Sequence, residues 1–397
     1  MARYVCSNCF GDLALHDFVS GEAVECACDF CGDVSTEPIA APLEEVAHHI
    51  EQCLRDEYDD AANCLGYISD EGGWQGETWD AWDLLANEVG MDLPRDEDGH
   101  LLEAIVGKID DCSWCKKNPY GLNYEDAGRF SWQRFCDVVK YERRFFFLDH
   151  GGQDTEVLSP GDTLNRILDY AEKTELFVEL PSATALYRAR KQRDGVDLTS
   201  IDQIGPPLPE LANQSNRMSP PGIVMFYASD EVETALRETN SVSGSYVVGH
   251  FETRRDAVIL DLIALPAIPS IFAEVPDSLE YNPRHVLTFL NQVASEISRP
   301  IARDDRVHVN YVPTQIVTEY VRSRILDEDV KVDGIRFESA VYPGHASYVL
   351  FATQENMIGS SVHQFEPEDA WIALLDVGSH EVTEERLLAW RSNIIFD

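Results

Sequence analysis

The sequence predicts a multidomain α+β protein on three observations. All ten cysteines fall within the first 136 of 397 residues. The stretch from Leu43 has helical periodicity on an acidic background. Beyond about residue 180, short strand-like runs are interspersed with helical ones in no regular alternation. The expected boundaries are a cysteine-rich module over 1–41, an acidic helical bundle over 42–175, an α+β domain over 176–360 and a short C-terminal extension over 361–397.

An apolar content of 44% is enough to fill more than one core. Seventy-one acidic residues against 31 basic ones give a net charge of −40, which opposes a phosphate backbone and disfavours nucleic acid as a partner. The start, Met1-Ala-Arg-Tyr-Val-Cys6, lacks the basic-then-apolar run of a secretion signal. No apolar run is long enough for a bilayer, so the expected location is the cytosol, away from membranes.

Each element follows from local pattern. Cys6-x-x-Cys9 and Cys28-x-x-Cys31, with 18 residues between the pairs, have the two-knuckle spacing of a four-cysteine zinc ribbon with an intervening hairpin. Four thiolates close the metal's coordination shell, so the expected Zn2+ is structural; Cys26 is an alternative to Cys28 as ligand. Cys112-x-x-Cys115 is half of a tetrahedral site, and ordinary thiols, a second metal or a redox pair all stay open for it. Thr36 to Pro42, with two prolines, reads as a hinge. From Leu43, Val46, Ile50, Cys53 and Leu54 share one helical face, and Glu44, Glu45, Glu51, Arg55 and Asp56 the other. His48 and His49, with Cys53 one turn on, have the residue types of a metal site, but on this acidic helix the two histidines are read as solvated. Further helical runs follow at 78–90, 99–111 and 131–149.

In the last half, strands are expected at 222–227, 244–251, 257–262 and 346–352, and helices at 231–239, 284–297 and 314–326. No Gly-x-Gly-x-x-Gly follows a strand, so a doubly wound dinucleotide-binding sheet is not supported. Phe135-Cys-Asp-Val-Val-Lys-Tyr-Glu-Arg-Arg-Phe-Phe-Phe-Leu-Asp149 resembles part of the HEPN-type helical domains that precede RES domains. Arg144 and His150 have the Arg-x5-His spacing of HEPN ribonucleases. Phe145 follows the arginine where active members carry a polar residue, so the domain is expected to be regulatory or architectural.

Leu186-Tyr-Arg-Ala-Arg190, Arg217-Met-Ser-Pro-Pro-Gly222, Phe226 to Glu238 and Gly334-Ile-Arg-Phe-Glu-Ser339 together resemble the RES family over residues 180–355. The resemblance implies an ADP-ribosyltransferase-like fold and NAD+ breakdown. It matches Arg188, or Arg190 in a shifted register, to a diphosphate-binding arginine. Planar guanidinium donors suit two phosphate oxygens. Arg217 matches the second arginine, although Met218 and Ser219 replace the family's Trp-Asn. Tyr227 and Glu238 match a nicotinamide-stacking tyrosine and a carboxylate that holds the ribose or stabilises the developing cation. Ser339 matches the last residue of the signature; with no histidine partner it is assigned hydrogen bonding to phosphate or ribose. Glu231 and Glu233 are read as charges at a helix N-terminus, and Tyr311 and Gln315 as core support.

The implied catalytic set is thus Glu238, Arg217 and Ser339, and the NAD-binding set Arg188, Arg217, Ser219, Tyr227 and Ser339. The implied function is an NAD+ phosphorylase or glycohydrolase of toxin or defence type, with NAD+ and inorganic phosphate as small-molecule partners. An antitoxin or regulatory protein is the implied macromolecular partner, and self-association stays open. The alternatives are a protein ADP-ribosyltransferase, and a non-enzymatic zinc and HEPN interaction protein with a degenerate RES domain.

Overall fold

The computed structural model describes residues 2–146, 156–193, 196, 198–239, 242–276, 279, 281–299, 306–326, 329–359 and 369–391. The chain forms two compact units, one of residues 1–127 with 267–288 and one of 128–266 with 289–397. These divisions run differently from the boundaries expected at 41, 175 and 360. The cysteine-rich start shares one core with the helices that follow it, and a segment from the middle of the mixed domain joins that core.

In the first unit, Asp12 accepts hydrogen bonds from the backbone N–H of Ala14 (2.9 Å) and Leu15 (3.1 Å) and so caps the helix Leu13–Gly21. Leu15 and Val19, four apart, are fully buried on its inner face. This helix occupies the stretch between the cysteine pairs, where a hairpin was expected; a capped start followed by apolar residues at helical spacing explains the difference. The expected hinge is also structured. Ala40–Pro42 is a strand antiparallel to Tyr4–Cys6, and Ala40 and Ala41 are completely buried. Pro42 ends the strand and stands at the start of the helix Leu43–Glu57, where its missing N–H costs nothing.

Helix Leu43–Glu57 buries Val46, Ile50, Cys53 and Leu54 as its periodicity predicts. His48 is exposed, but His49 is buried, which corrects the expectation that both histidines are solvated. Helical turns at Ala81–Asp83, Leu84–Glu88 and His100–Val106 complete the helical region, together with the strand pair Tyr58–Asp60 and Trp114–Lys116. Phe272, from the returning segment, is 3% exposed in the same core.

The second unit begins in the helix Tyr124–Asp137, continued by Val138–Glu142, with Trp132, Phe135, Val138 and Val139 buried. Arg144 donates to the Lys140 carbonyl (3.4 Å). His150, the other half of the HEPN spacing, lies outside the described residues. After the helix Pro160–Lys173, capped by Ser159, the chain enters a nine-stranded mixed sheet. Its strands are β1 (Phe177–Leu180), β2 (Ala185–Lys191), β3 (Phe226–Ser229), β4 (Gly244–Thr253), β5 (Ala257–Asp261), β6 (Gly334–Glu338), β7 (Ala346–Leu350), β8 (Met357–Gly359) and β9 (Ile372–Val382). Their spatial order is β8-β9-β4-β2-β3-β7-β6-β5-β1. The pairs β5–β6 and β8–β9 are parallel and the rest antiparallel. Strand β9 comes from the segment expected to be a mere extension, and it pairs with β4 along that strand's whole length.

Alternation along the strands separates two cores. Leu186, Phe226, Val247, Phe251, Tyr348 and Leu350 fill one face. Ala189, Tyr246 and Val248 fill the other, under Ala235 and Leu236 of the helix Val232–Glu238 and Leu387 and Trp390 of Glu384–Arg391. Phe251 is fully buried with its ring 4.8 Å from that of Phe226. Phe251→Ala is expected to cost about 3–5 kcal/mol of stability, read by urea denaturation followed by far-UV circular dichroism.

Candidate active site and metal centre

Strand Tyr4–Cys6 ends on Cys6, a single helical turn brings round Cys9, and a tight turn after Ala27 presents Cys28 and Cys31. Their four sulfurs lie within 4.8 Å of one another, with Cys6–Cys9 at 3.7 Å, Cys6–Cys31 at 3.5 Å and Cys9–Cys28 at 3.7 Å. A tetrahedron with Zn–S bonds of about 2.3 Å has edges of about 3.8 Å, so the donor set fits zinc. Cys28 is the fourth member of the cluster; Cys26 stands outside it. The Cys9 thiol, followed by the backbone N–H of Cys31, Phe30 and Cys6, draws the Cys28 thiol down to about 4. Burial first, then the neighbouring sulfurs, pushes Cys6 up to about 12, while the contact with the Cys28 sulfur, followed by burial, raises Cys9. A divalent ion would relieve that crowding of buried thiols. Arg95 pairs with Asp33, two residues along the chain from Cys31. Of the weaker pair, Cys115 is buried in a small cluster against which Cys64 packs, while Cys112 is half-buried apart from the four-sulfur cluster.

In the sheet, Gly334 opens β6 where a Cβ would meet the Leu350 side chain and the Val349 carbonyl at 2.6 Å, so only glycine lets β6 lie this close to β7. That close pairing sets Phe337 opposite Ser347, and two residues on, Ser339 emerges on the same side as the chain turns back, its N–H bonded to the His345 carbonyl (2.8 Å). Glu238, the last residue of the helix Val232–Glu238, closes the group. Its Oε1 accepts hydrogen bonds from the Ser339 hydroxyl at 2.6 Å and the Ser347 hydroxyl at 3.1 Å. Both serines are buried. Ser347 was not singled out in the sequence. The available signal was a serine in an otherwise apolar strand, at a position of β7 that alternates with the core residues Ala346, Tyr348 and Leu350. Ser229 of β3 pairs with Ser347 in register and Tyr187 of β2 bridges to Ser229, extending a polar row across this face.

Tyr227 and Ser219 form a second pair, their hydroxyl oxygens 2.9 Å apart. Burial raises the Tyr227 phenol to about 12, so it stays protonated at neutral pH. The loop bearing Arg217 and Ser219 turns at Gly222, whose φ of +86° suits glycine. It is braced by Gln315, which donates to Ser215 Oγ (2.9 Å) and to the Asn216 carbonyl (2.7 Å), and by Thr314, which donates to the Arg217 carbonyl. Gln315 and Tyr311 are buried, in keeping with core support. The Arg217 guanidinium donates to the carbonyls of Ile297 (2.6 Å) and Arg299 (2.7 Å).

Arg188 and Arg190 leave β2 on the opposite face, that of Leu186. Arg188 donates to the carbonyls of Ile204 (3.1 Å) and Tyr227 (2.7 Å) and lies 5.7 Å from the Phe226 ring centre. Burial, then the charge of Arg190, pulls Arg188 down to about 9; it still carries its charge at neutral pH. Its Nη1 fills the seam where β2 and β3 join through one bridged residue pair. The structure therefore joins Glu238 with Ser339, and Ser219 with Tyr227, while Arg188 reaches the second pair through a backbone carbonyl. Glu231 at the helix start pairs with His345 (3.0 Å), and Glu233 with Arg237 (3.0 Å) and Arg386.

Residues 185–376 match the family model of the RES domain. This chain is a RES-domain protein. Residues 21–153 match a second model, HEPN/RES N-terminal domain 1, so the two matches take in most of the chain. The RES domain is a family of NAD-degrading, toxin-like enzymes. The match extends through the first residues of β9. No curated protein and no solved structure matches the chain. No described helix is long and apolar enough to cross a membrane.

The purified RES protein is expected to hold one zinc ion per chain by elemental analysis. Cys9→Ser should lose the metal, and Cys26→Ser should retain it.

Proposed function

We propose that the protein breaks the nicotinamide–ribose bond of NAD+, and that the site is built around Glu238. The observation that carries this reading is the convergence of the Ser339 and Ser347 hydroxyls on one oxygen of Glu238, which fixes a carboxylate on a helix end above the sheet. In the proposed reaction the C–N bond breaks with its electron pair going to the nicotinamide nitrogen, so the pyridinium leaves neutral. The ribose carbon takes on positive charge as the bond lengthens, and a fixed carboxylate stabilises that state without reorganising. Phosphate oxygen or water oxygen then bonds to the same carbon, giving ADP-ribose-1″-phosphate or, with loss of a proton, ADP-ribose.

Arg217 and Arg188 supply positive charge from fixed positions, and both act on the Tyr227 phenol. In this reading Arg217 offsets the substrate diphosphate, Arg188 on the opposite face of the sheet holds the Tyr227 backbone through its carbonyl, and Tyr227, pinned by Ser219, presents its ring to nicotinamide. Met218, where the resemblance expects an aromatic residue, is 1% exposed and packs inward, so stacking falls to Tyr227. An ADP-ribosyltransferase-like fold, regulation by the N-terminal region and a role as toxin or defence effector belong to the same proposal. They are supported by the RES and HEPN/RES matches.

The test is incubation of the full chain with NAD+, with and without phosphate, followed by chromatography and mass detection of nicotinamide, ADP-ribose and ADP-ribose-1″-phosphate. Glu238→Ala is expected to slow NAD+ loss by about 100-fold or more, on the scale of removing one preorganised electrostatic group. Ser347→Ala is expected to slow it by about tenfold by freeing the carboxylate to rotate. Intact NAD+ under every condition, with the variants indistinguishable from the parent, would overturn the proposal. ADP-ribose found attached to protein would replace it with the transferase reading.

A further inference from the structure

A cavity in the first unit, independent of the proposed NAD+ chemistry, has a volume of about 420 Å³ and is lined by Asp17, Phe18, Glu22, His49, Phe272 and Glu274 among others. Its size is that of a small-ligand site. Its wall is aromatic: the rings of Phe18 and His49 stack at 3.8 Å between centres, 11° from parallel.

His49 is 6% exposed, and its Nε2 lies 2.9 Å from the Phe272 carbonyl. A carbonyl only accepts, so Nε2 carries the hydrogen and, in the neutral ring, Nδ1 is left as an acceptor. Glu274 Oε1 lies 3.8 Å from Nδ1, too far for a hydrogen bond. The imidazole therefore offers this cavity a buried acceptor beside a carboxylate. Cys53 Sγ lies 3.6 Å from Nε2, but burial holds that thiol up at about 12, so it stays protonated and offers no nucleophile.

Around this acceptor the cavity presents more acceptors. Among the described residues, Glu22 has no cationic partner, Glu274 faces His49, Asp17 has His16 at 3.4 Å, and none of the three has a lysine or arginine within ion-pair distance. Stacked aromatic rings, a buried nitrogen acceptor and three carboxylates suit a ligand with positive charge and N–H donors. We infer that this cavity binds an alkyl-guanidinium or alkyl-ammonium group. The flat cation lies along the Phe18–His49 wall, and its N–H groups bridge His49 Nδ1 and the Glu274 carboxylate. The net charge of −40 draws such cations to the surface in general, and the aromatic wall and buried acceptor make this place selective.

The test is isothermal titration of the full chain at about pH 8, where an ordinary imidazole is neutral. One arm uses agmatine, a free guanidinium, and the other a blocked Gly-Arg-Gly tripeptide; the tighter binder tells whether the group arrives as a small molecule or on a protein. Glu274→Gln and Phe18→Leu are each expected to weaken the binding by at least about tenfold, or about 1.4 kcal/mol. Glu44→Gln, a carboxylate change outside the cavity, is the control and should leave affinity unchanged. Glu274 is 74% exposed, so its variant should fold normally. Absence of binding in both arms, or equal weakening by Glu44→Gln and Glu274→Gln, would overturn the inference; the second result would show attraction to the acidic surface alone.

Discussion

The register of β4, Gly244–Thr253, is the constraint on which the second unit depends. This ten-residue strand is paired on both edges, with β2 on one side and β9 on the other. Its alternation divides Val247 and Phe251 from Tyr246 and Val248, and so assigns each neighbour's side chains to one core or the other. A slip of one residue would exchange the faces and turn apolar side chains towards the wrong layer. Through β2 the same register decides that Tyr187 faces the layer of Glu238 while Arg188 points the other way. Chemistry several strands distant thus rests on a strand that carries none of the candidate catalytic groups.

Much of this was legible in the sequence where residue pattern and burial coincide. The helix at Leu43–Glu57, those at Val232–Glu238 and Val312–Ser323, and the strands at Gly244–Thr253 and Ala346–Leu350 follow from periodicity alone. So does the four-cysteine set, because metal geometry demands paired knuckles at short spacing. Elements whose stability comes from partners remote in sequence were hidden. Ala40–Pro42 looks like a hinge until Tyr4–Cys6 lies beside it, and Ile372–Val382 has mixed polarity because only part of it is covered. His49 was misjudged for the same reason: its cover comes partly from Phe272, more than 200 residues away.

The candidate active site shows the same division. Glu238 and Ser339 stand out by resemblance, and their contact is direct. Ser347 is invisible without the hairpin that sets it opposite Phe337. The polar groups of this region are arranged to satisfy one another: hydroxyl to carboxylate, hydroxyl to phenol, guanidinium to carbonyl. Such pairing limits the desolvation cost of burying them and leaves each with a defined orientation.

The segment 267–288 lies within the stretch matched by the RES model, yet its side chains complete the core of the unit built mainly from residues 1–127. Sequence modules and cohesive units are therefore out of step in this chain. A cut made at the family boundary would strip Phe272 of its surroundings in one fragment and leave an apolar cleft in the other. The two modules have consequently become joint owners of one interior, and recombination that exchanged either one alone would have to rebuild that interior as well.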